Sequence, residues 1–523
     1  ETGLEQTLTE LGSLIAISDE DIERFHNDRK RKRRFEGIPL RFRLDDEEVA
    51  RVSVNQYRLP GVEIHAELAR HYPLGKLASH AVGYVGRINE RDLTKLDVSN
   101  YAATSHIGKV GVERAYENLL HGKVGYQQVE SNAQGRILHV LERTLPTPGQ
   151  NLFLNLDIQV QRVAEEAMGE NSGALVALDP RNGAVLALVS TPTYDPNLFV
   201  NGLDSKTFKE LRDSPERPLF NRALRGQYPP GSTVKPFLGL AGLELGTVKQ
   251  TDSLKCPGWY MQPGDSRRYR DWKKRGHAKT DLTKAIVESC DVYFYDLARA
   301  LGIDGMHDYL STFGLGQATG IDILGELGGI LPSREWKQRT YRTVWYPGET
   351  LITGIGQGFM LTTPLQLANI TATLSMYGRR TQPNMIYAIQ DAAEMNHQLV
   401  APRPLDPVPV GQLGHWETII NAMQQVVNDP HGTAHRLSYR LTFSIAGKTG
   451  TAQVFGLKQD EEYKEEEISK KLRDHALFIG FAPVEDPQIA VAVIVENGGH
   501  GSSAAAPIVR KVMDQYLVKP ATQ

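Results

Sequence analysis

Cysteine is nearly absent, with only Cys256 and Cys290 in a chain of 523 residues. That excludes a disulfide-built scaffold and leaves one disulfide, two free thiols or a shared metal open. A charge imbalance is missing too: 59 basic residues face 62 acidic ones for a net charge of -3, which argues against a general polyanion or nucleic-acid binder. Apolar runs are short. None approaches the roughly 20 residues needed to cross a bilayer, and the best of them, Ile489 to Val495, is strand-sized. No internal repeat is evident. The chain opens at Glu1-Thr2-Gly3 with neither an initiator methionine nor a signal peptide, so the lack of an anchor here says little about what precedes it.

What is present is length and pattern. A chain this long exceeds one ordinary domain. Its first part is charged and irregular. The basic run Arg29 to Arg34 reads as a solvated helix end, because Ser18-Asp19-Glu20-Asp21 supplies a cap and an acidic first turn, and acids return at Asp45 to Glu48. Arg51 to Asn55 and Gln127 to Glu130 read as short β runs. Pro146-Thr147-Pro148-Gly149 reads as a hinge, which divides the chain into a non-catalytic domain over residues 1–148 and a second domain over 149–523.

Beyond the hinge the pattern is denser. Leu152 to Leu156 alternates like a strand, and Asp157 to Met168 has the periodicity and capping acid of a helix. Ala174 to Asp179 and Ala184 to Ser190 flank Asn182-Gly183, which predicts a hairpin with a tight primed turn. Phe443 to Ala446, Ala476 to Phe481 and Ile489 to Val495 predict three late strands, and Ala505 to Tyr516 a closing helix. Strands at both ends with helices between imply an α+β domain, an antiparallel sheet flanked by helices. The charged stretch Lys458 to Lys471 is expected to solvate a connection between late strands.

Three short motifs carry chemistry. Pro229-Pro230-Gly231 forces a turn, so Ser232 is expected at a helix N-cap with Lys235 one turn on. A partly desolvated lysine can take the proton of a serine hydroxyl. Ser289-Cys290-Asp291 lies between two helical runs, where Ser289 can relay a proton between Lys235 and Lys448. In Gly447-Lys448-Thr449-Gly450-Thr451-Ala452 the glycines let a substrate backbone pair with a strand edge, Lys448 and Thr449 suit a carboxylate, and the Thr451 and Ser232 amides suit an oxyanion. Each motif alone has a bland reading as a cap or a strand end; their order in one chain removes most of that doubt.

In that order they resemble the penicilloyl-serine transferases, which include penicillin-binding proteins and serine β-lactamases. Tyr228 to Pro236, Gly354-Ile355-Gly356-Gln357-Gly358 with Thr363-Pro364-Leu365-Gln366, and Gly480-Phe481-Ala482-Pro483 are similar to transpeptidase-domain segments. Arg70-His71-Tyr72-Pro73, His80 to Gly86 and Gly108 to Glu113 resemble the pedestal of class B penicillin-binding proteins, and Trp345 to Thr350 resembles an elongation-type member. The resemblance implies a D,D-transpeptidase of peptidoglycan stem peptides, acylated at Ser232 and blocked by β-lactams. It implies Ser232, Lys235, Ser289 and Lys448 as catalytic, with Asp291, Thr449, Gly450 and Thr451 binding substrate. It further implies an inner-membrane anchor, a periplasmic catalytic domain and a membrane glycan polymerase as partner. One departure stands out: the second motif ends in Asp291 where asparagine is usual, and a carboxylate cannot donate the expected amide hydrogen bond.

The two cysteines bracket Asp271 and His277. Two thiolates, an imidazole and a carboxylate are ligand types that a tetrahedral zinc accepts, although the spacing is no standard finger. Some relatives look as if they carry a comparable cluster, so the resemblance favours structural zinc on Cys256, Asp271, His277 and Cys290. Asp252, Asp265 and Asp281 compete with Asp271. A serine β-lactamase, a β-lactam sensor domain and a bifunctional polymerase-transpeptidase are the rival readings. A Glu-x-x-Leu-Asn deacylating stretch is missing between Ser289 and Lys448, no long membrane portion is seen, and Glu20 to His26 only superficially matches a glycosyltransferase motif.

Overall fold

Five apolar segments zip into one antiparallel sheet: β1 (Gly173–Leu178), β2 (Val185–Thr191), β3 (Ala446–Ala452), β4 (His475–Ala482) and β5 (Ile489–Val495). Their order is β3-β4-β5-β1-β2, so chain-distant strands meet in the middle and β3 is left at an edge. The computed structural model describes residues 2–518 apart from 32–36, 43, 67, 98, 102–103, 133–136, 201–202, 204, 265, 393, 395, 455–468 and 470–471. Every residue of β1, β2 and β5 is buried, because helices cover both faces and no alternation is required. Ile158–Met168 and Ala506–Leu517 pack together on one side. Lys235–Glu244, Pro364–Ser375 and Leu413–Asn428 fill the other. The α+β expectation holds.

Several local readings change. Arg51 to Asn55 is helical: Asp46–Val54 starts at a capping box in which Asp45 and Glu48 satisfy each other's backbone N–H, and that cap outweighs the β-branched residues. The hairpin between β1 and β2 turns over four residues and not two. Asp179 N–H donates to Ala184 O at 2.8 Å, and in Asn182-Gly183 only Gly183 has positive φ, at 76°. Asn151–Leu154 is a strand, but it pairs with Ile386–Gln390 in a separate small sheet. The third motif does not follow a strand at Phe443 to Ala446; it is the strand β3, where pairing with β4 overrides the weak propensity of Gly447 and Gly450. The basic run continues the helix Asp19–Arg31, and its remainder, like nearly all of Lys458 to Lys471, lies outside the described residues.

The N-terminal region has its own small core, with Leu11, Ile15, Val52 and Leu59 buried together. A two-stranded ribbon, Tyr126–Ser131 with Ile137–Thr144, extends from it. The proline-rich segment is held and not loose, since Thr147 exchanges two backbone hydrogen bonds of 2.9 Å with Lys123. Residues of this region also enter the main core: Ala81 and Val112 belong to it. Tyr116 Oη donates to Asp322 at 2.6 Å and Glu165 accepts from Ala78 N–H at 2.8 Å, so part-buried polar contacts join the two regions.

The loop of the second motif is built by a helix ending. Leu282–Val287 closes with Ser289 N–H on Ile286 O (3.3 Å) and Cys290 N–H on Ala285 O (2.9 Å), a pair of bonds in which the residue past the cap must be left-handed. Glycine is usual there; this chain places Ser289, at φ 58°. A non-glycine residue in that region stores strain, which the surrounding contacts must hold. Ser289→Gly is therefore expected to be more stable than Ser289→Ala by about 1 kcal/mol, since both lose the hydroxyl and only alanine keeps a Cβ in the left-handed region. Urea denaturation of the two variants measures this, and equal stabilities would show an unstrained loop.

Candidate active site

Ser232 is not the helix cap that the sequence predicts. Gly231–Val234 forms a 3-10 turn, Val234 caps the helix Lys235–Glu244, and Lys235 N–H bonds back to Ser232 O. The cause is Gly231, at φ 54°, which presses so closely on β3 that a Cβ there would lie 2.4 Å from Thr451 O. Gly231 N–H also donates to Gly356 O at 2.8 Å, and Gln357 Nε2 donates to Thr451 O at 2.9 Å. The segment 354–358 thus clamps the serine turn against the edge strand. Sequence reasoning saw this segment only as a resemblance, because its work is done through backbone groups. Ser232 and Thr451 are half-buried and open to the cleft, whereas Thr449 is nearly covered and shares a 2.7 Å hydrogen bond with Thr433.

Behind the serine lie two lysines with no solvent exposure at all, Lys235 and Lys448. Lys235 Nζ donates to Asp291 Oδ1 (2.7 Å), Ser289 O (2.9 Å) and Ser289 Oγ (3.3 Å). Lys448 Nζ donates to Ser289 Oγ (2.9 Å) and Thr449 O (3.0 Å). The three motifs therefore meet at one hydroxyl, Ser289 Oγ. Lys448 Nζ is thus engaged by Ser289 Oγ and Thr449 O. Burial first, then the charge of Lys235, push Lys448 well below the ordinary lysine range, with Asp291 acting in the opposite sense.

A second cluster abuts this network. Ligand-type atoms of Cys256, Asp271, His277 and Cys290 all lie within 4.8 Å of one another, and all four residues are buried. Cys256 Sγ is 3.6 Å from both Asp271 Oδ2 and His277 Nδ1, and those two atoms are 3.5 Å apart. Both cysteines are free thiols, and burial pushes each of them up. Burial opposes the charge of Asp271, yet hydrogen bonds from His277 and the Lys273 N–H hold it down at about 2. Asp271 Oδ2 also accepts from Asp291 N–H (2.9 Å) and Val292 N–H (3.2 Å). It thereby caps the long helix Asp291–Thr312, whose own cap residue, Cys290, offers no side-chain bond. Trp272, which sequence reasoning missed, follows it and donates its backbone N–H to Asp291 Oδ2 at 3.1 Å.

Comparison with known proteins agrees with this geometry. Residues 173–514 match the model of the penicillin binding protein transpeptidase domain, and residues 1–154 that of the penicillin-binding protein dimerisation domain. The peptidoglycan D,D-transpeptidase MrdA of Escherichia coli K12 is 43% identical over 521 residues, covering 98% of this chain and 82% of its own. The structure of Pseudomonas aeruginosa penicillin-binding protein 2 in complex with WCK 5153 superposes with a TM-score of 0.77 at 47% identity, covering 87% of this chain and 92% of that one. A structure described as a peptidoglycan synthase complex that coordinates polymerization and crosslinking gives a TM-score of 0.74 at 32% identity, covering 91% and 81%. The chain belongs to the class B penicillin-binding proteins and is most like penicillin-binding protein 2, a peptidoglycan D,D-transpeptidase.

Proposed function

We propose that Ser232 attacks the penultimate D-alanyl carbonyl of a stem pentapeptide, with Lys235, Ser289 and Lys448 handling its proton. The Oγ–carbon bond forms, the bond to the terminal D-alanine nitrogen breaks, and the serine proton leaves on that amine. An amine of a neighbouring stem then takes the acyl group and restores Ser232. The observation that carries this reading is the single Ser289 hydroxyl bridging two buried lysines at 3.3 and 2.9 Å. A depressed Lys448 accepts and returns a proton more readily than an exposed lysine does. Thr449, Gly450 and Thr451 lie on the edge strand β3, where an extended substrate can pair, and we assign Asp291 to the substrate site with them. The Ser232 and Thr451 amides are the oxyanion donors in this scheme. A β-lactam acylates Ser232 in place of the donor and stays, since the chain has no deacylating Glu-x-x-Leu-Asn stretch. The chemistry needs no cofactor.

The division at residues 1–148 and 149–523 remains our reading, supported by family models that end at 154 and resume at 173. No described helix is long and apolar enough to cross a membrane. We place the catalytic domain in the periplasm, tethered to the inner membrane by a segment outside this chain, because peptidoglycan is built there. The partner that fits is a membrane glycan polymerase, in line with the synthase complex among the structural relatives.

Zinc is the metal we assign to Cys256, Asp271, His277 and Cys290. Bond lengths of 2.0–2.3 Å around a tetrahedral centre require ligand atoms about 3.3–3.8 Å apart; the contacts of 3.5, 3.6 and 3.6 Å among Cys256, Asp271 and His277 fall in that range, and Cys290 lies within 4.8 Å of each. Nδ1 of His277 faces the cluster while its buried Nε2, which has no hydrogen-bond partner, looks toward Glu288 at 3.8 Å. When bound, the ion supplies structure and not reactivity: it neutralises buried thiolates and fixes Asp271 as the cap of the Asp291 helix.

Ser232→Ala should abolish covalent labelling by a fluorescent penicillin with the melting temperature unchanged, and Lys235→Ala should slow acylation by roughly two to four powers of ten. Intact mass after penicillin treatment reads both, and normal labelling of Ser232→Ala would remove the assignment. Elemental analysis should find near-stoichiometric zinc, and a strong chelator should lower the melting temperature and slow acylation together. Protein free of zinc with full stability would contradict the metal site.

A further inference from the structure

The chain as a whole is nearly balanced in charge, yet one stretch is not. Between residues 267 and 275 stand six basic side chains, Arg267, Arg268, Arg270, Lys273, Lys274 and Arg275, and all six are exposed. The one acid among them, Asp271, is buried and turned toward the cysteine cluster and the Asp291 helix. Lys273 pairs with Glu288 at 3.0 Å. A patch of one sign on a near-neutral protein raises the local concentration of ligands of the other sign.

The stretch takes in the second strand of a hairpin, Trp259–Met261 with Arg268–Arg270. Beside that hairpin lies an open cavity of about 460 Å³, with Gln262, Arg267 and Tyr269 on one wall and Tyr346, Glu349 and Ile352 on the other. Glu349, the one acid of this lining among the described residues, is already neutralised: its carboxylate accepts from the ammonium of buried Lys337 and from Tyr346 N–H, the latter at 2.8 Å. Arg267 therefore sets the sign of the cavity. Both walls run into the catalytic site. Past Arg267 the chain reaches Trp272, whose backbone N–H donates to Asp291 Oδ2 at 3.1 Å. On the other side Ile352 O accepts from Gln357 N–H at 3.1 Å, and Gln357 Nε2 donates to Thr451 O. The chain from Arg267 to Trp272 spans at most about 17 Å, which is also the reach of roughly five residues of extended peptide.

We propose that this basic surface and the cavity beside it form a subsite for an acidic peptide, binding the side-chain carboxylates of the stem that precede the bond broken at Ser232. The proposal rests on the transpeptidase reading of Ser232. Ser232 and β3 hold the D-alanyl end, and the cations between 267 and 275 select stems by charge. Exposed ion pairs are individually weak and screened by salt, so the selection comes from their number and fades as ionic strength rises.

The test measures how well a soluble stem pentapeptide carrying D-glutamate and diaminopimelate protects Ser232 from a fluorescent penicillin. The comparison peptide has those two side carboxylates amidated and its terminal carboxylate kept. In low salt the acidic form should protect at roughly three- to tenfold lower concentration, and the difference should shrink toward none in about 0.5 M salt. The combined variant R267Q/R268Q/K274Q/R275Q should lose the preference, while its labelling by penicillin without peptide stays within about twofold of the parent. Should that variant fail to fold, Arg267→Gln alone carries the test, with the preference lowered about twofold. Equal protection, or none, from the two peptides in the parent, or an unchanged preference in the variants, overturns the subsite and leaves Ser232 as nucleophile. Failure of penicillin to label Ser232 in the parent overturns the nucleophile reading itself.

Discussion

Two amines buried around one hydroxyl govern the cleft. If both Lys235 and Lys448 carried a proton, two positive charges would share a solvent-free site with one directly paired carboxylate, and the cost of burying an uncompensated charge is several kcal/mol. Asp291, 2.7 Å from Lys235, balances one charge only. The remaining lysine is pushed toward neutrality, and the one so displaced is Lys448. Ser289 Oγ lies between them, able to accept from one and donate to the other. The departure at Asp291 thus acquires a physical sense: in this chain the third residue of the motif is a counter-ion, with both carboxylate oxygens already engaged.

Holding that hydroxyl in place requires a loop that resists relaxation. Ser289 sits in a left-handed conformation that alanine or serine would avoid in isolation, and the strain is borne by a helix ending on one side and a helix beginning on the other. Asp271 supplies the missing cap for the second helix from another part of the chain. Cys256 and His277 lie 3.6 and 3.5 Å from its Oδ2, so the cluster packs against the loop that carries Ser289. The sheet contributes the opposing wall. β3 is pinned through Gly231, Gly356 and Gln357 to the turn that carries Ser232, and its outer edge stays free of any strand partner among the described residues.

Much of this was legible in the residues. Ile489 to Val495, the Asp157 cap and the closing helix are strong local signals, and the structure places them within a residue or two of the expectation. That Cys256, Asp271, His277 and Cys290 come together was readable in part, since the only two cysteines bracket Asp271 and His277, although Asp252, Asp265 and Asp281 competed with Asp271. Ser232 as a cap failed because a 3-10 turn intervenes, a consequence of Gly231 lying against Thr451, 220 positions away in sequence. Arg51 to Asn55 failed because propensity lost to a capping box three residues upstream of the β-branched pattern. Trp272 was invisible because its role lies in N–H groups whose acceptors come from another helix end.

The charge balance is the part of this account most exposed to measurement. The pH dependence of acylation by a single penicillin should show an acid limb, rising as Lys448 loses its proton, at a pH below the ordinary lysine range. Asp291 favours the protonated form of Lys448, so Asp291→Asn should move that limb to lower pH, whatever it does to the maximal rate. A limb that stays in place or moves up in Asp291→Asn would contradict the view that the Asp291 carboxylate tempers the depression of Lys448.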